Sequence, residues 1–367
     1  MARFSENPMS QQFTPVAALG EFGLIDRMRL QLGHPVSPDL ITGIGDDAAV
    51  YRISEDMSHV VTTDALVEGV HFDRSFVPMN HLGRKAIAVN VSDVVAMNAR
   101  PKFAVVTLGM PRNLSVEMVE ALYEGMAQAC EMYGVEIVGG DTTAAPQLVI
   151  SVTIIGEVRT DQIVFRRGAN VGDLICLSGN VGAAFAGLQV LLDQRREMQE
   201  LGPRFEPNID AYRYVVGRQL VPTARLDVLE SWRTLGVRPT ALIDVSDGVS
   251  SEVHHLCAAG GCGALVYSEA LPIHAETKAA AEERMAEVDT YALFGGEDYE
   301  LMFAMDPKTA SALDGSMFTV IGEFTPAADG VMVHAPDGEV IPLSASGFNH
   351  FDSTGGGGEA GDVPSQS

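Results

Sequence analysis

Basic residues are scarce in this chain: 24 Lys and Arg stand against 49 Asp and Glu, a formal net charge of −25. That imbalance argues against broad binding to nucleic acid or to an anionic membrane, which are held by clustered Lys and Arg. Long apolar runs are also missing. The most hydrophobic segments are broken by Asp, Asn or Gly before they reach the length of a bilayer span. Residues 1–12 are polar and carry no apolar signal core, so a cytoplasmic location is expected. Cysteine is sparse. Cys130, Cys176, Cys257 and Cys262 show no CxxC spacing, which fits reduced buried thiols better than a disulfide framework or a metal clip. Three familiar motifs are absent too: no GxxxxGK[ST] loop, no kinase-type GxGxxG with its partner Lys, and no HExxH.

What the chain has instead is acid placed beside apolar runs. Its 367 residues are 46% hydrophobic and 20% charged, enough for ordinary cores and, as a prior, for two domains. Asp244-Val245-Ser246-Asp247-Gly248 puts two carboxylates and a hydroxyl between a short strand-like run (Ala241, Leu242, Ile243) and a helical stretch from Val249 to about Leu256. Gly45-Asp46-Asp47, Thr62-Thr63-Asp64 and Gly139-Gly140-Asp141-Thr142 repeat the style, each read as Asp at the end of an apolar strand, where α/β sites are usually built. A cap with dipole-stabilising charge explains one acid of the Asp244–Gly248 stretch but hardly both; Asp247 is the better cap and Asp244 the better ligand. Asp93 lies inside a nearly all-apolar helix expected over 82–97, and a buried carboxylate needs a partner or loses its charge. Taken singly, most of these acids read as turns or solvated ends. Taken together they suggest convergence on hard divalent cations, which prefer oxygen ligands.

A coarse pass gives strands at 59–64, 103–109, 135–138, 148–156, 173–177, 241–243, 264–267, 319–322 and 331–334. Helices are expected from about Gly20, over 82–97, from Val116 to Tyr133 behind a Ser115 cap and before Gly134, after the Ser178–Gly182 glycine turn, and from Val221-Pro222-Thr223-Ala224-Arg225. The polar stretch about 193–210 reads as a helix extension or insertion. Phe294-Gly295-Gly296-Glu297-Asp298-Tyr299-Glu300-Leu301 is a glycine-acid turn entering a strand. A boundary near Arg159–Val171 divides the chain into a loose N-terminus (1–17), an N-terminal domain (18–160), a C-terminal α/β domain (161–352) and a glycine-rich tail (353–367) expected to be disordered.

Gly20-Glu21-Phe22, Gly43-Ile44-Gly45-Asp46-Asp47-Ala48, Thr62 to Phe72, Lys85 to Asp93, Gly139 to Thr142, Ile243 to Gly248 and Gly295 to Leu301 occur in one order that resembles the thiamine-monophosphate kinase family. Its superfamily includes aminoimidazole ribonucleotide synthetase, selenophosphate synthetase and a hydrogenase maturation factor. The resemblance covers about residues 20–351. The His71 segment, the Gly-Gly-Glu-Asp-Tyr-Glu block and Gly347-Phe348-Asn349-His350-Phe351 single out the kinase.

The resemblance implies a two-domain α/β (α+β) fold of the aminoimidazole ribonucleotide synthetase type. The N-terminal sheets of two subunits would join in a barrel, making a homodimer, and the second domain would be an α/β sandwich. It implies transfer of the γ-phosphoryl of ATP to thiamine monophosphate with Mg2+, and no nucleic-acid or membrane partner. Matched residue by residue, Asp47, Thr62, Thr63, Asp64, Asp93, Asp141, Asp244 and Asp247 are metal positions. Gly140, Asp141, Arg166, Ser246 and Tyr123 are nucleotide contacts, and His71, Glu297 and Phe348 are substrate contacts. No covalent or basic catalytic residue is expected. Asp244 should lie near Asp47 and Asp93 at the domain cleft. The alternatives are another ATP-using relative, such as a ligase-like or selenophosphate-forming enzyme, and a non-catalytic nucleotide-binding protein. Selenophosphate synthesis would want an N-terminal Cys, and the first Cys here is Cys130.

Overall fold

Alternating and continuous apolar runs sort into two sheets, and what covers each sheet explains the pattern. The computed structural model describes residues 14–33 and 37–345. Residues 37–345 belong to one unit, and helix α1 (Gly20–Leu32) belongs to another. The first sheet contains β1 (Leu40–Thr42), β2 (Ala49–Arg52), β3 (Met57–Val67), β4 (Arg100–Met110), β5 (Glu136–Ala144) and β6 (Val149–Arg159), in the order β1-β2-β3-β6-β4-β5. All neighbours are antiparallel except β4 and β5. Helices α2 (Met79–Ala96) and α3 (Val116–Tyr133) pack against each other, and α2 also packs on β3, β4 and β6. α3 starts and stops as its sequence dictates: Ser115 accepts from Met118 N, and Gly134 ends it in the left-handed conformation.

Sheet one alternates because only one face is covered. In β3, Val60, Thr62 and Leu66 turn inward while Thr63 and Ala65 turn out. The second sheet contains β7 (Leu174–Leu177), β8 (Ala241–Asp244), β9 (Gly263–Tyr267), β10 (Leu301–Met305), β11 (Thr319–Thr325), β12 (Val331–His334) and β13 (Val340–Pro342), ordered β13-β12-β9-β11-β7-β10-β8. The helices of this half are α4 (Ala183–Leu201), α5 (Arg213–Leu220), α6 (Leu226–Leu235), α7 (Val249–Gly260), α8 (Ala275–Glu283), α9 (Val288–Phe294) and α10 (Pro307–Ala312). They cover both faces, so β8 and β10 are buried at every position. Phe303 packs with Trp232 and Val215 in one core, whereas Met302 and Ile243 pack with Val249 and Val253 in another.

Three expectations change. Thr62-Thr63-Asp64 does not end a strand: the ladder between β3 and β6 pairs every residue from Met57 to Val67, so these three sit mid-strand. Gly139-Gly140-Asp141 is not a turn but part of β5, where β4 supplies a parallel partner and a bulge between Ala104 and Val105 absorbs the register change. The helix expected from Val221 begins at Leu226. The cysteines are all free, with Cys130, Cys176 and Cys257 buried. Among the described residues no helix is long and apolar enough to cross a membrane.

Candidate active site

Helix α2 is the element that gathers the acids. It packs on β3 of the first sheet and on β8 of the second, so a residue on it can meet side chains from both. Asp93 does so. Its carboxylate, that of Asp47 from the loop before β2 and that of Asp244 from the end of β8 offer oxygens within 4.8 Å of one another. Each acid is held in place. Thr62 Oγ donates to Asp93 Oδ2 at 2.6 Å, and Ser92 Oγ donates to Asp244 Oδ2 at 2.6 Å. Arg166 bonds Asp47 Oδ1 through Nη2 (2.7 Å) and Nε (3.2 Å), and its backbone N–H reaches Asp46 Oδ1. The period of two in β3 puts Asp64 on the same side as Thr62, and its backbone N–H bonds Asn90 Oδ1.

Crowded acids resist ionising together. Burial, then Asp47, pushes Asp244 up to about 7. Asp93 is raised well above the ordinary range by burial, then by Asp64 and Asp244. Burial raises Asp47 against the pull of Arg166, and burial also raises Asp64. Burial and Asp47 lift Asp46 to about 6. One guanidinium cannot neutralise this set. The donors fit a hard divalent cation: all are oxygen, three converge, and buried Asp47 Oδ2 has no hydrogen-bond partner.

The Asp244–Gly248 stretch and the Gly295–Glu300 turn form one composite loop. Glu297 N donates to Ser246 O (2.7 Å), Tyr299 N to Val245 O (2.8 Å) and Val245 N to Glu300 O (2.7 Å). The approach requires glycine. A Cβ on Gly296, whose φ is +68°, would stand 2.5 Å from Ser246 O, and one on Gly248 would meet Leu293 O at 2.8 Å. Asp247 is not the helix cap. Gly248 occupies the N-cap of α7 with no side-chain bond to it, and the acid that serves this end is Glu252. Its Oε1 accepts from Asp247 N (2.8 Å) and Ser246 N (3.2 Å). Burial and Asp247 raise Glu252 well above the ordinary range.

The remaining expected residues lie further out. Thr63 is on the open face of the sheet, bonded to Val152 O and paired with Thr153, away from Thr62. Asp141 and Gly140 are exposed on β5, where Asp141 Oδ1 accepts from Thr142 N. A Cβ on Gly140 would strike Val106 O, so this close strand pairing admits only glycine. Tyr123 is half-buried on α3 against the core. His71 Nδ1 accepts from Val67 N. Glu297 is bonded by Lys85 Nζ (2.8 Å) and Gln219 Nε2 (2.7 Å). Phe348, like Gly347 and the tail, lies outside the described residues. Sequence reasoning missed Lys85, Asn90, Ser92, Gln219 and Glu252 as site residues. For Lys85, Asn90 and Ser92 a signal existed, since each is polar on a helix otherwise too apolar to face water. Glu252 carried one as well, an acid in the first turn reaching back as in a capping box.

The class of protein shows first in part of the chain: the model of the AIR synthase related protein, N-terminal domain, matches residues 45–158, the stretch that carries most of the first sheet, Asp47 and Asp93. At full length the match is narrower. The thiamine-monophosphate kinase of Aquifex aeolicus (strain VF5) is 41% identical over 286 residues, 78% of this chain and 85% of that one. That of Bacillus subtilis (strain 168) is 31% identical over 341 residues, 91% and 100%. A solved structure of AaThiL complexed with AMPPCP and TMP superposes with a TM-score of 0.79 at 36% identity, covering 93% of this chain and all of that one. The chain belongs to the thiamine-monophosphate kinase family.

Proposed function

We propose that this chain transfers the γ-phosphoryl group of ATP directly to the phosphate of thiamine monophosphate, giving thiamine diphosphate. The observation that carries this reading is the meeting of Asp47, Asp93 and Asp244 in a chain of this family. Phosphoryl transfer needs positioning and charge neutralisation more than covalent help. Several Mg2+ ions, held by Asp47, Asp93 and Asp244 with Asp64, Asp141, Asp247 and Thr62 as further ligands, would supply Lewis-acid stabilisation of phosphate charge; the Thr63 hydroxyl, turned to the open face, is not among them. The chain's own residues do the rest. Thr62 and Ser92 fix two carboxylates, and Arg166 balances Asp47 until a nucleotide phosphate competes for it. Ser246, Arg166, the Gly140-Asp141 edge and Tyr123 on α3 hold nucleotide. His71, Glu297 and Phe348 hold the acceptor. The acceptor phosphate is already an oxyanion near neutral pH, so no base is assigned.

Two coarser readings accompany this. The division into domains 18–160 and 161–352 follows the two sheets, the first ending at Arg159 and the second beginning at Leu174. The chain acts as a homodimer through the open face of the first sheet. The decisive assay incubates enzyme with ATP, thiamine monophosphate and Mg2+ and measures thiamine diphosphate. Asp244→Asn should lower kcat by about a hundredfold or more, the scale of several kcal/mol of charge stabilisation, with its circular dichroism unchanged. No product from the unaltered enzyme, or full activity in the variant, would overturn the reading.

A further inference from the structure

The end of α7 brings two of the four cysteines together. Gly261, with φ +68°, closes the helix in the left-handed conformation and turns the chain back over its last turn. Its N–H donates to Cys257 O at 2.8 Å, and the next N–H, that of Cys262, donates to the same oxygen at 3.2 Å. A glycine ending of this kind sets the residue after the glycine against the last turn of the helix, where an apolar contact usually forms. Here the contact is between thiols: Cys257 is 5% exposed, Cys262 is half-buried, and their sulfurs lie within hydrogen-bond reach of each other. Gly260 makes room for them. A Cβ there would stand 3.2 Å from Cys262 Sγ and 3.3 Å from Ala169 O. Cys130 and Cys176 pack in the other core, so neither competes for this pairing.

We propose that Cys257 and Cys262 form a modification site, a dithiol that a small-molecule disulfide converts to an intramolecular disulfide, stapling the last turn of α7 to the start of β9. Cys262, the sulfur nearer solvent, gives up its proton and attacks one sulfur of the oxidant; the oxidant's S–S bond breaks and one half leaves as a thiol. Cys257 then gives up its proton and attacks Cys262 Sγ, and the second half leaves as a thiol. Two electrons pass to the oxidant, and both protons go with the thiols released. The ring 257–262 is already closed by a backbone hydrogen bond, so the cross-link asks for side-chain rotation rather than movement of the chain. Burial, then Cys262, pushes Cys257 up to about 12, and burial raises Cys262 as well. Both are therefore neutral thiols near neutral pH, and exchange is slow because the thiolate is the attacking form. The bond, once made, is hard to open, since a disulfide is most oxidising when its reduced form is stabilised. What the staple protects is α7. Its first turn carries Glu252 under the Ser246 and Asp247 peptides, and its Ser250 and His254 side chains donate to Ser344 O and Leu343 O.

The test uses the full chain and reads mass and melting, so it is independent of the kinase activity. Reduced protein, freed of reductant, is incubated overnight with glutathione disulfide at mildly alkaline pH, and the remaining thiols are then alkylated. Intact mass should fall by two hydrogens before alkylation, and digestion should show Cys257 linked to Cys262 with Cys130 and Cys176 alkylated. The melting temperature should rise by about 2 °C or more, the scale of a short-loop cross-link in a chain of this size, and fall back on reduction. Cys257→Ser should stop at one glutathione on Cys262, and Cys262→Ser should gain neither the link nor the shift. Any of these overturns the inference: an unchanged mass, glutathione retained on Cys262 of the unaltered protein, a link to Cys130 or Cys176, or a linked protein that melts no higher than the reduced one.

Discussion

Asp244 is 2% exposed, accepts one bond from Ser92 and faces the Asp47 and Asp93 carboxylates. Burial and Asp47 push its pKa up to about 7. The sign of the consequence follows from linkage. Its pKa in the folded, cation-free protein lies above the ordinary carboxylate value, so the folded state binds more protons than the unfolded one between about pH 4 and about pH 7. Stability from this group is present at the acid end and falls as pH rises through 7. A cation that takes the place of the proton reverses that loss, and its apparent affinity rises about tenfold per pH unit for each proton displaced. Mg2+ should therefore raise the melting temperature more at about pH 8 than at about pH 6, and Asp244→Asn should shrink the difference. Thermal melts with and without Mg2+ at the two pH values check this, and equal shifts would count against an Asp-bound cation. The residue types at this site were readable in the sequence, because an acid in an apolar helix and a doubled acid at a strand end violate local expectations. The partners Ser92 and Thr62 were less so, since a buried hydroxyl on a helix or strand is ordinary until its neighbour is known.

The composite loop explains why two sequence motifs, about fifty residues apart, belong together. Glu297 and Tyr299 donate backbone bonds to the 245–246 peptides, and nothing in either motif's own pattern announces a partner. Local signals did place α3 and its caps, the strand before Asp244 and the helix after it, because each rests on contacts within a few residues. Strand continuity was the weak point. β3 runs past Asp64 and β5 runs through two glycines because β6 and β4 supply long-range ladder bonds that override local turn chemistry. The glycine at 296 offers a direct test. Alanine there would force a positive φ and bring a Cβ to 2.5 Å from Ser246 O. Gly296→Ala should destabilise the protein by about 2 kcal/mol or more and raise KM for both ATP and the acceptor, because Ser246 and Glu297 move together. Urea unfolding with steady-state kinetics measures both; an unchanged midpoint, or a KM change for one substrate alone, would show the two motifs to be independent.

Burial across the whole molecule is uneven in a way that points outward. The second sheet is covered on both faces, which is why β8 and β10 read as unbroken apolar runs. The first sheet is covered on one face only, and its far edge, β5, is exposed along nearly its whole length. An antiparallel sheet open to water normally shows polar side chains there, yet Phe103 and Val105 project from the open face of β4, and Val138 on β5 is 57% exposed. A long edge with apolar neighbours invites another strand unless something covers it. A second copy of this chain is the occupant we expect, sheet meeting sheet. Two charges of like sign placed on that face would be buried against their own mates at an isologous interface, a penalty a free surface would not feel. The unaltered protein should sediment as a dimer at micromolar concentration. Phe103→Glu with Val105→Glu should sediment as a monomer with the far-ultraviolet circular dichroism of the parent. A parent that sediments as a monomer, or a double variant that remains dimeric, would remove this face from the assembly.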